Sequence, residues 1–208
     1  EGVGSLADIS YNLKQYISSE SYYNKLYKLS TTIDTKQKAI LGLLESKFML
    51  YQYNDIISTI DTYVEDNFFS GSEKLRVQYL NAISFYKVNQ LQNALSAFSW
   101  LINNCDGDLK AESYYYKSLI LYNNGEYINS QEVIFKLINE LPGYEEWINN
   151  ALLLLAKNYL AREDMFQAQH VLMELKKKTQ DIEIVNKINL ILTNNFNNPV
   201  LDTIIDSK

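Results

Sequence analysis

Residues 115–134, YYKSLILYNNGEYINSQEVI, decide the fold because they combine two helix-like segments around a short polar turn. In the first segment, the small residue Ser118 is followed three positions later by Leu121, which places both on one helix face. In the second segment, Ser130 precedes Ile134 by four positions, and these residues also share a face. Each small residue lets a neighbouring helix approach closely, and each large one fills the remaining space. The stretch therefore predicts a pair of closely packed helices.

The same arrangement occurs twice more, so the chain contains an internal repeat. The small residue of the first helix recurs after 36 residues, from Ala82 to Ser118, and after 38 residues, from Ser118 to Ala156. Units of this length stack as helix pairs, each of which buries its apolar face against its neighbours. The two further stretches are 79–98, YLNAISFYKVNQLQNALSAF, and 153–172, LLLAKNYLAREDMFQAQHVL.

The ends of the chain carry weaker versions of the unit. Leu44 lies 38 residues before Ala82, but it is large where a small residue is expected, and Lys47 replaces a large apolar residue. Before this unit we expect another helix pair with turn material at 18–20, and after the last unit Pro199 stops regular structure. We therefore predict one helical array over 1–208, composed of a degenerate helix pair 5–33, a degenerate repeat 35–66, repeats at 72–104, 108–140 and 144–178, a capping helix 181–195 and a tail 196–208.

The composition agrees with helices and excludes several classes of protein. The chain has only 2 prolines and 7 glycines, fewer than the many turns of an all-β fold require. Its net charge of −6 argues against nucleic-acid binding, which needs a basic face. A single cysteine, Cys105, excludes an intrachain disulfide, and no apolar run approaches the roughly 20 residues of a transmembrane helix. Because the chain begins with Glu1 and not methionine, we expect a processed product or an excised fragment.

The three aligned units resemble the tetratricopeptide repeat (TPR) family, whose unit has about 34 residues. This resemblance implies an all-α fold, a right-handed α–α superhelix (TPR solenoid) of about 11 helices. A narrower resemblance, to the C-terminal region of large TPR proteins of Bacteroidetes bacteria, implies a periplasmic or envelope-associated protein, although a cytoplasmic location stays open. It rests on LKAESYYY at 109–116, GEY at 125–127, LP at 141–142, Trp147, LLLLA at 152–156 and GLL at 42–44.

Candidate catalytic and metal-binding residues are few. His170 is the only histidine, and neither a zinc site nor a catalytic triad can be built from one histidine and one cysteine. The sequence DGD at 106–108 resembles the start of a calcium loop, but the required glutamate does not follow, so a helix-to-helix turn is the better interpretation. No phosphate-binding glycine motif occurs. We therefore predict no enzymatic activity, no cofactor and no metal.

The family resemblance implies that the first helix of each pair lines an inner groove. Tyr79 is equivalent to Tyr115, and Tyr86 to Tyr122, so the four tyrosines would form two aromatic rows along one face. They either bind a peptide, because tyrosine is enriched in binding hot spots, or fill space between helices. The candidate partner-binding residues are Arg76, Tyr79, Ile83, Tyr86, Lys87, Glu112, Tyr115, Leu119, Tyr122, Asn123, Asn150, Leu153 and Lys157, followed by Leu160 and Ala161 at the end of the third unit.

Repeat solenoids present extended surfaces that bind other proteins. We therefore predict a non-enzymatic scaffold for protein–protein interaction that holds a peptide or protein partner in its concave groove. Two alternatives stay open at this point. The array is a structural spacer or oligomerisation module, or its tyrosines stack on sugars and it binds a carbohydrate or another polymer.

Overall fold

The computed structural model describes residues 2–65 and 67–196, and within these ranges every regular element is an α-helix. The predicted all-α fold with about 11 helices is thereby confirmed. The predicted tail lies outside the described residues from position 197 onward. The helices are α1 Gly2–Asn12, α2 Tyr16–Leu29, α3 Ile33–Met49, α4 Tyr53–Tyr63, α5 Gly71–Lys87, α6 Leu91–Asn104, α7 Gly107–Asn123, α8 Tyr127–Glu140, α9 Glu145–Ala161, α10 Met165–Lys178 and α11 Ile182–Phe196.

One turn geometry joins the two helices of every pair from α1–α2 to α9–α10. A residue with positive φ ends the first helix, and the next residue donates its N–H to the carbonyl five positions back. This is the hydrogen bond that closes a helix with a left-handed residue. Because the five turns share it, the first two pairs are built like the other three. The left-handed residues are Lys14 (φ 59°), Tyr51 (59°), Asn89 (62°), Gly125 (79°) and Glu163 (61°).

The turn predicted at residues 18–20 is wrong, because these residues lie inside α2 and the chain reverses around Lys14. Ser19 is fully buried, and its hydroxyl donates to the carbonyl of Ala7 at 3.3 Å. It also shares a hydrogen bond of 3.0 Å with the hydroxyl of Ser46 on α3. Ser19 is therefore the small residue of the second helix in its pair, and it occupies the position that Ser130 holds in a later pair.

The described residues group into two compact units that divide after Ser113, within α7. The core of the first unit joins α1 to α5 and includes Leu44 and Ile56, both 0% exposed. These two large residues occupy the positions where the other pairs carry small ones. Lys47, which replaces a large apolar residue, pairs with Glu20 at 2.8 Å. In the degenerate repeat, large apolar side chains therefore fill the core, and an ion pair joins α3 to α2.

Gly42 allows α3 to lie directly against the ring of Tyr23 on α2. The Tyr23 hydroxyl donates to Asp8 at 2.7 Å, and Asp8 pairs with Lys38 at 2.6 Å. Burial raises the pKa of Asp8, but the hydrogen bonds from Lys38 and Tyr23 outweigh it and lower the pKa overall. Burial and the Asp8 carboxylate raise the pKa of the Tyr23 hydroxyl, which therefore stays a donor. This polar chain ties α1, α2 and α3 together.

The second unit combines an apolar core with a buried polar connection. Asn158 is 0% exposed, and its amide donates to the Ser130 hydroxyl at 3.0 Å, which in turn donates to the carbonyl of Ser118 at 2.8 Å. The serines at the small positions therefore also satisfy hydrogen bonds between α7, α8 and α9. At the end of the unit, Ile184 and Ile188 of α11 pack against α9 and α10, where the capping helix was predicted. No helix in the described part is long and apolar enough to cross a membrane.

Candidate functional site

Candidate residues of the first unit form a chain of contacts across α3, α5 and α7. The guanidinium of Arg76 donates two hydrogen bonds to Glu45, at 2.6 and 2.8 Å. It also lies over the ring of Tyr79, 5.3 Å from the centroid, in a cation–π contact. The Tyr79 hydroxyl donates to Glu112 at 2.9 Å. Three predicted site residues, Arg76, Tyr79 and Glu112, therefore contact one another and Glu45 in a single chain.

The charges of Arg76 and Glu45 in this chain compensate each other. The Arg76 side chain is 42% exposed and that of Glu45 is 19% exposed, so the pair is partly shielded from solvent. The hydrogen bonds to Glu45 raise the pKa of Arg76 despite the opposing effect of burial. Burial, followed by the charge of Glu45, raises the pKa of Tyr11 on α1. Arg76 is consequently a positioned, already paired cation, because Nε and Nη2 bond Glu45.

The other candidates of the first unit divide between core and surface. Ile83 is 3% exposed and contributes to the core, so a partner cannot contact it directly. Tyr86 is half-buried, and Lys87 is exposed with its ammonium 5.9 Å from the Tyr86 ring centroid. A partly accessible tyrosine ring flanked by an exposed cation therefore lies at this end of α5.

In the second unit the aromatic candidates belong to two clusters. Tyr115 makes an edge contact with Tyr116, with centroids 5.7 Å apart, and a tilted contact with Trp147 of α9, also at 5.7 Å. Tyr122 packs at 5.6 Å from Tyr127 across the turn between α7 and α8. All five rings are half-buried. They are held by neighbouring rings but keep part of their surface accessible.

The remaining candidates of this unit surround the clusters. Leu119 is half-buried, Leu153 is 6% exposed and belongs to the core, and Asn123 and Lys157 are exposed. Asn150 donates to the carbonyl of Glu146 at 3.0 Å within α9. Towards the end of α9, Leu160 is half-buried and Ala161 is exposed.

Sequence reasoning missed three participants, namely Glu45, Trp147 and Tyr127. The repeat step of 38 residues would have placed Glu45 two helical turns from the position of Arg76 on the adjacent first helix. Two turns span roughly 10 Å along the helix axis, so this offset does not by itself predict the contact. The contact between Tyr115 and Trp147 had no sequence signal either, because it depends on how α9 is rotated.

Residues 2–65 and 67–196 contain little that resembles a catalytic or metal centre. Among the described residues, no group of three or more histidine, cysteine, aspartate or glutamate side chains could hold a metal ion. His170 is exposed and stacks on Phe166 with ring centroids 6.4 Å apart. Cys105 is 8% exposed, its thiol donates to the carbonyl of Leu101, and burial raises its pKa, which disfavours the reactive thiolate.

Comparison with known proteins identifies the fold. No protein-family model matches the chain, and no curated protein sequence matches it. Solved structures do match it over most of its length. The MamA protein superimposes with a TM-score of 0.69 at 18% identity, covering 85% of this chain and 89% of that one. YrrB, a TPR protein with an unusual peptide-binding site, gives 0.68 at 14% identity and covers 88% of each chain.

A third match is a putative kinesin light chain of Podosopora anserina with nearly identical TPR-like repeats, with a TM-score of 0.63 at 12% identity over 95% of this chain and 96% of that one. The fold is that of a TPR solenoid. At these identities the likeness concerns the fold alone, so the TPR architecture predicted from three aligned units is confirmed.

Proposed function

We propose that this TPR chain is a non-enzymatic interaction scaffold that binds a peptide or protein segment through tyrosines on its first helices. The observation that carries the proposal is the intermediate burial of Tyr79, Tyr86, Tyr115 and Tyr122. Each ring is partly held by its neighbours and still partly accessible, so little tyrosine side-chain entropy is lost when a partner packs on it. Tyrosines fixed in this way are typical of binding hot spots.

The polar groups beside these rings suit a peptide. In the first unit, the pairing of Arg76 with Glu45 offsets one charge of each sign beside Tyr79, and the Tyr79 hydroxyl bonds the Glu112 carboxylate. In the second unit, Asn123 and Lys157 are exposed polar groups on first helices that carry the aromatic clusters. YrrB, which has a similar fold, has a peptide-binding site, and this supports a peptide as the ligand class to test.

The first test is affinity capture with cross-linking mass spectrometry, with the chain as bait. A variant carrying Tyr79→Leu, Tyr86→Leu and Tyr122→Leu keeps apolar bulk but removes the rings and hydroxyls. The matched control, Tyr51→Asn with Phe166→Ala, removes two aromatic residues that are each 76% exposed and lie off the first helices. Circular dichroism checks that all variants stay helical.

We expect a partner that cross-links to the first helices and is lost from the tyrosine variant but not from the control. A partner that both variants retain would show that the tyrosines only pack. No captured protein would favour the structural spacer, and binding to glycans alone would favour a polymer-binding module.

We also propose that the scaffold works in a bacterial cell envelope. Only the sequence resemblance to Bacteroidetes proteins supports this location. Fractionation of the native host, with the chain followed by immunoblotting, tests it, and recovery with cytoplasmic markers would contradict it.

A further inference from the structure

A groove in the second unit lies among α8, α9, α10 and α11 and involves none of the four tyrosines. Its volume is about 1060 Å³, slightly above the roughly 300–1,000 Å³ typical of ligand sites. Its floor is apolar and includes Ile148, Val171, Leu175 and Ile184. Leu175 and Ile184 are each 3% exposed, whereas Ile148 and Val171 are half-buried and still offer apolar surface. The groove can therefore bury apolar side chains of a ligand.

The rim of this groove is acidic, with five carboxylates against two lysines and one histidine. Three of the carboxylates are already engaged. Glu174 pairs with Lys177 at 2.7 Å, Glu183 pairs with Lys187 at 2.6 Å, and Asp181 accepts the first N–H groups of α11. The remaining two are Glu145 and Glu146, at the start of α9.

No hydrogen bond or ion pair from a described residue engages the carboxylates of Glu145 or Glu146. Both side chains are exposed at the edge of the groove. Next to them, Asn149 donates to the Thr179 hydroxyl at 3.4 Å and Asn150 donates to the carbonyl of Glu146 at 3.0 Å. These bonds use the amide nitrogens, so the two amide oxygens face no described donor and can accept N–H groups of a ligand backbone.

We propose that this groove binds a peptide segment that combines apolar side chains with lysine or arginine. The apolar side chains would occupy the floor, and a cation would pair with Glu145 and Glu146. Charge complementarity decides for a basic segment, because carboxylates outnumber lysines on the rim and Lys187 is already paired. The inference rests on the proposed function, since it assigns a second site and a ligand class to the same scaffold.

The test measures fluorescence anisotropy of labelled peptides titrated with the whole chain. The probe is a peptide of leucine and arginine, and the controls replace arginine with glutamate or leucine with glycine. The groove variant is Glu145→Gln with Glu146→Gln. Its matched control, Glu132→Gln with Glu163→Gln, removes the same charge from exposed positions of the same unit outside the groove. A further variant, Val171→Lys, places a cation on the floor.

We expect the leucine–arginine peptide to bind, about fivefold more weakly to the groove variant, as the loss of two solvent-exposed ion pairs predicts. The matched control should bind like the unchanged chain, and Val171→Lys should abolish binding. Equal weakening by both double variants, or equally tight binding of the glycine–arginine peptide, would show mere attraction to an acidic protein and overturn the proposal. No binding of the leucine–arginine peptide would overturn it as well.

The experiments distinguish failure of the groove proposal from failure of the proposed function. The variant with leucine at positions 79, 86 and 122 should bind the leucine–arginine peptide like the unchanged chain. If that peptide binds normally but no protein is captured through the tyrosines, the proposed function fails and the groove stands. If a protein is captured through the tyrosines but the leucine–arginine peptide does not bind, the proposed function stands and the groove proposal fails.

Discussion

Gly42→Ala should destabilise the first unit, although alanine is the better helix former. A Cβ at position 42 would lie within 2.5 Å of three carbon atoms of the Tyr23 ring, whereas carbon atoms in contact are normally about 3.5–4 Å apart. The ring, which is 6% exposed, would have to move by about 1 Å or more. That movement would also strain the hydrogen bond of 2.7 Å from Tyr23 to Asp8.

The magnitude follows from opposing contributions. Overpacking of this kind costs about 1–3 kcal/mol, and a weakened hydrogen bond to a carboxylate adds about 1 kcal/mol. Replacing glycine by alanine inside a helix returns about 1 kcal/mol. We expect a net loss of about 2 kcal/mol in the free energy of unfolding, or a decrease in Tm of about 4–8 °C for a chain of this length.

Thermal and urea unfolding followed by circular dichroism measures this effect. The matched control is Gly143→Ala, where a Cβ would meet nothing within 4 Å, and there we expect a change of no more than about 1 kcal/mol. In a Tyr23→Leu background the clash disappears, so Gly42→Ala should become neutral or stabilising. A Gly42→Ala protein as stable as the unchanged chain would refute the close approach of α2 and α3.

Three further predictions concern charged and titrating groups. Arg76→Gln and Glu45→Gln should each lower the free energy of unfolding by about 1 kcal/mol, a value that allows for the partial exposure of the pair. The double variant should lose less stability than the sum of the two single variants, and a double-mutant cycle without coupling would contradict the pairing. Burial and the hydrogen bond to Glu140 raise the pKa of Tyr114 to about 12, so its contribution to stability should be complete below about pH 10 and disappear as the pH approaches 12. Spectroscopic titration should show several late-titrating tyrosines, Tyr23 among them, and Tyr114→Phe should remove the one that ionises near pH 12; an unchanged titration curve in that variant would contradict the assignment. Because the pKa of Asp8 is lowered in the folded chain, its contribution should be complete above about pH 4 and decrease as the pH falls further, and acid unfolding of Asp8→Asn should lack this component.

The fold was predictable because its determinants are local. A small residue and a large one on the same helix face, separated by a polar turn, specify a close helix pair without knowledge of any partner. Recurrence after 36 and 38 residues then indicates a stack. Where the local signal was ambiguous the prediction failed, as at Ser19, which is polar like a turn residue but is a buried small residue at a helix crossing.

The candidate site was predictable only in part. The repeat step predicted which helices carry Tyr79 and Tyr115, and the structure shows both rings half-buried. Burial of Ile83 and Leu153 could not be read from the spacing, because a residue's exposure depends on how far its helix is rotated against the next one. The acidic groove had no sequence signal, since its walls come from segments between 138 and 187 that only folding brings together.

The sequence by itself determined the helix pairs, their number and their TPR character, because helix periodicity lies within about 20 consecutive residues. The tertiary structure alone decided which charges are paired and which rings meet. Arg76 forms an ion pair with Glu45, 31 residues earlier in the sequence, and Tyr115 packs against Trp147 on another helix. Such contacts depend on the register and rotation of one helix against the next, which the packing of every core side chain determines together.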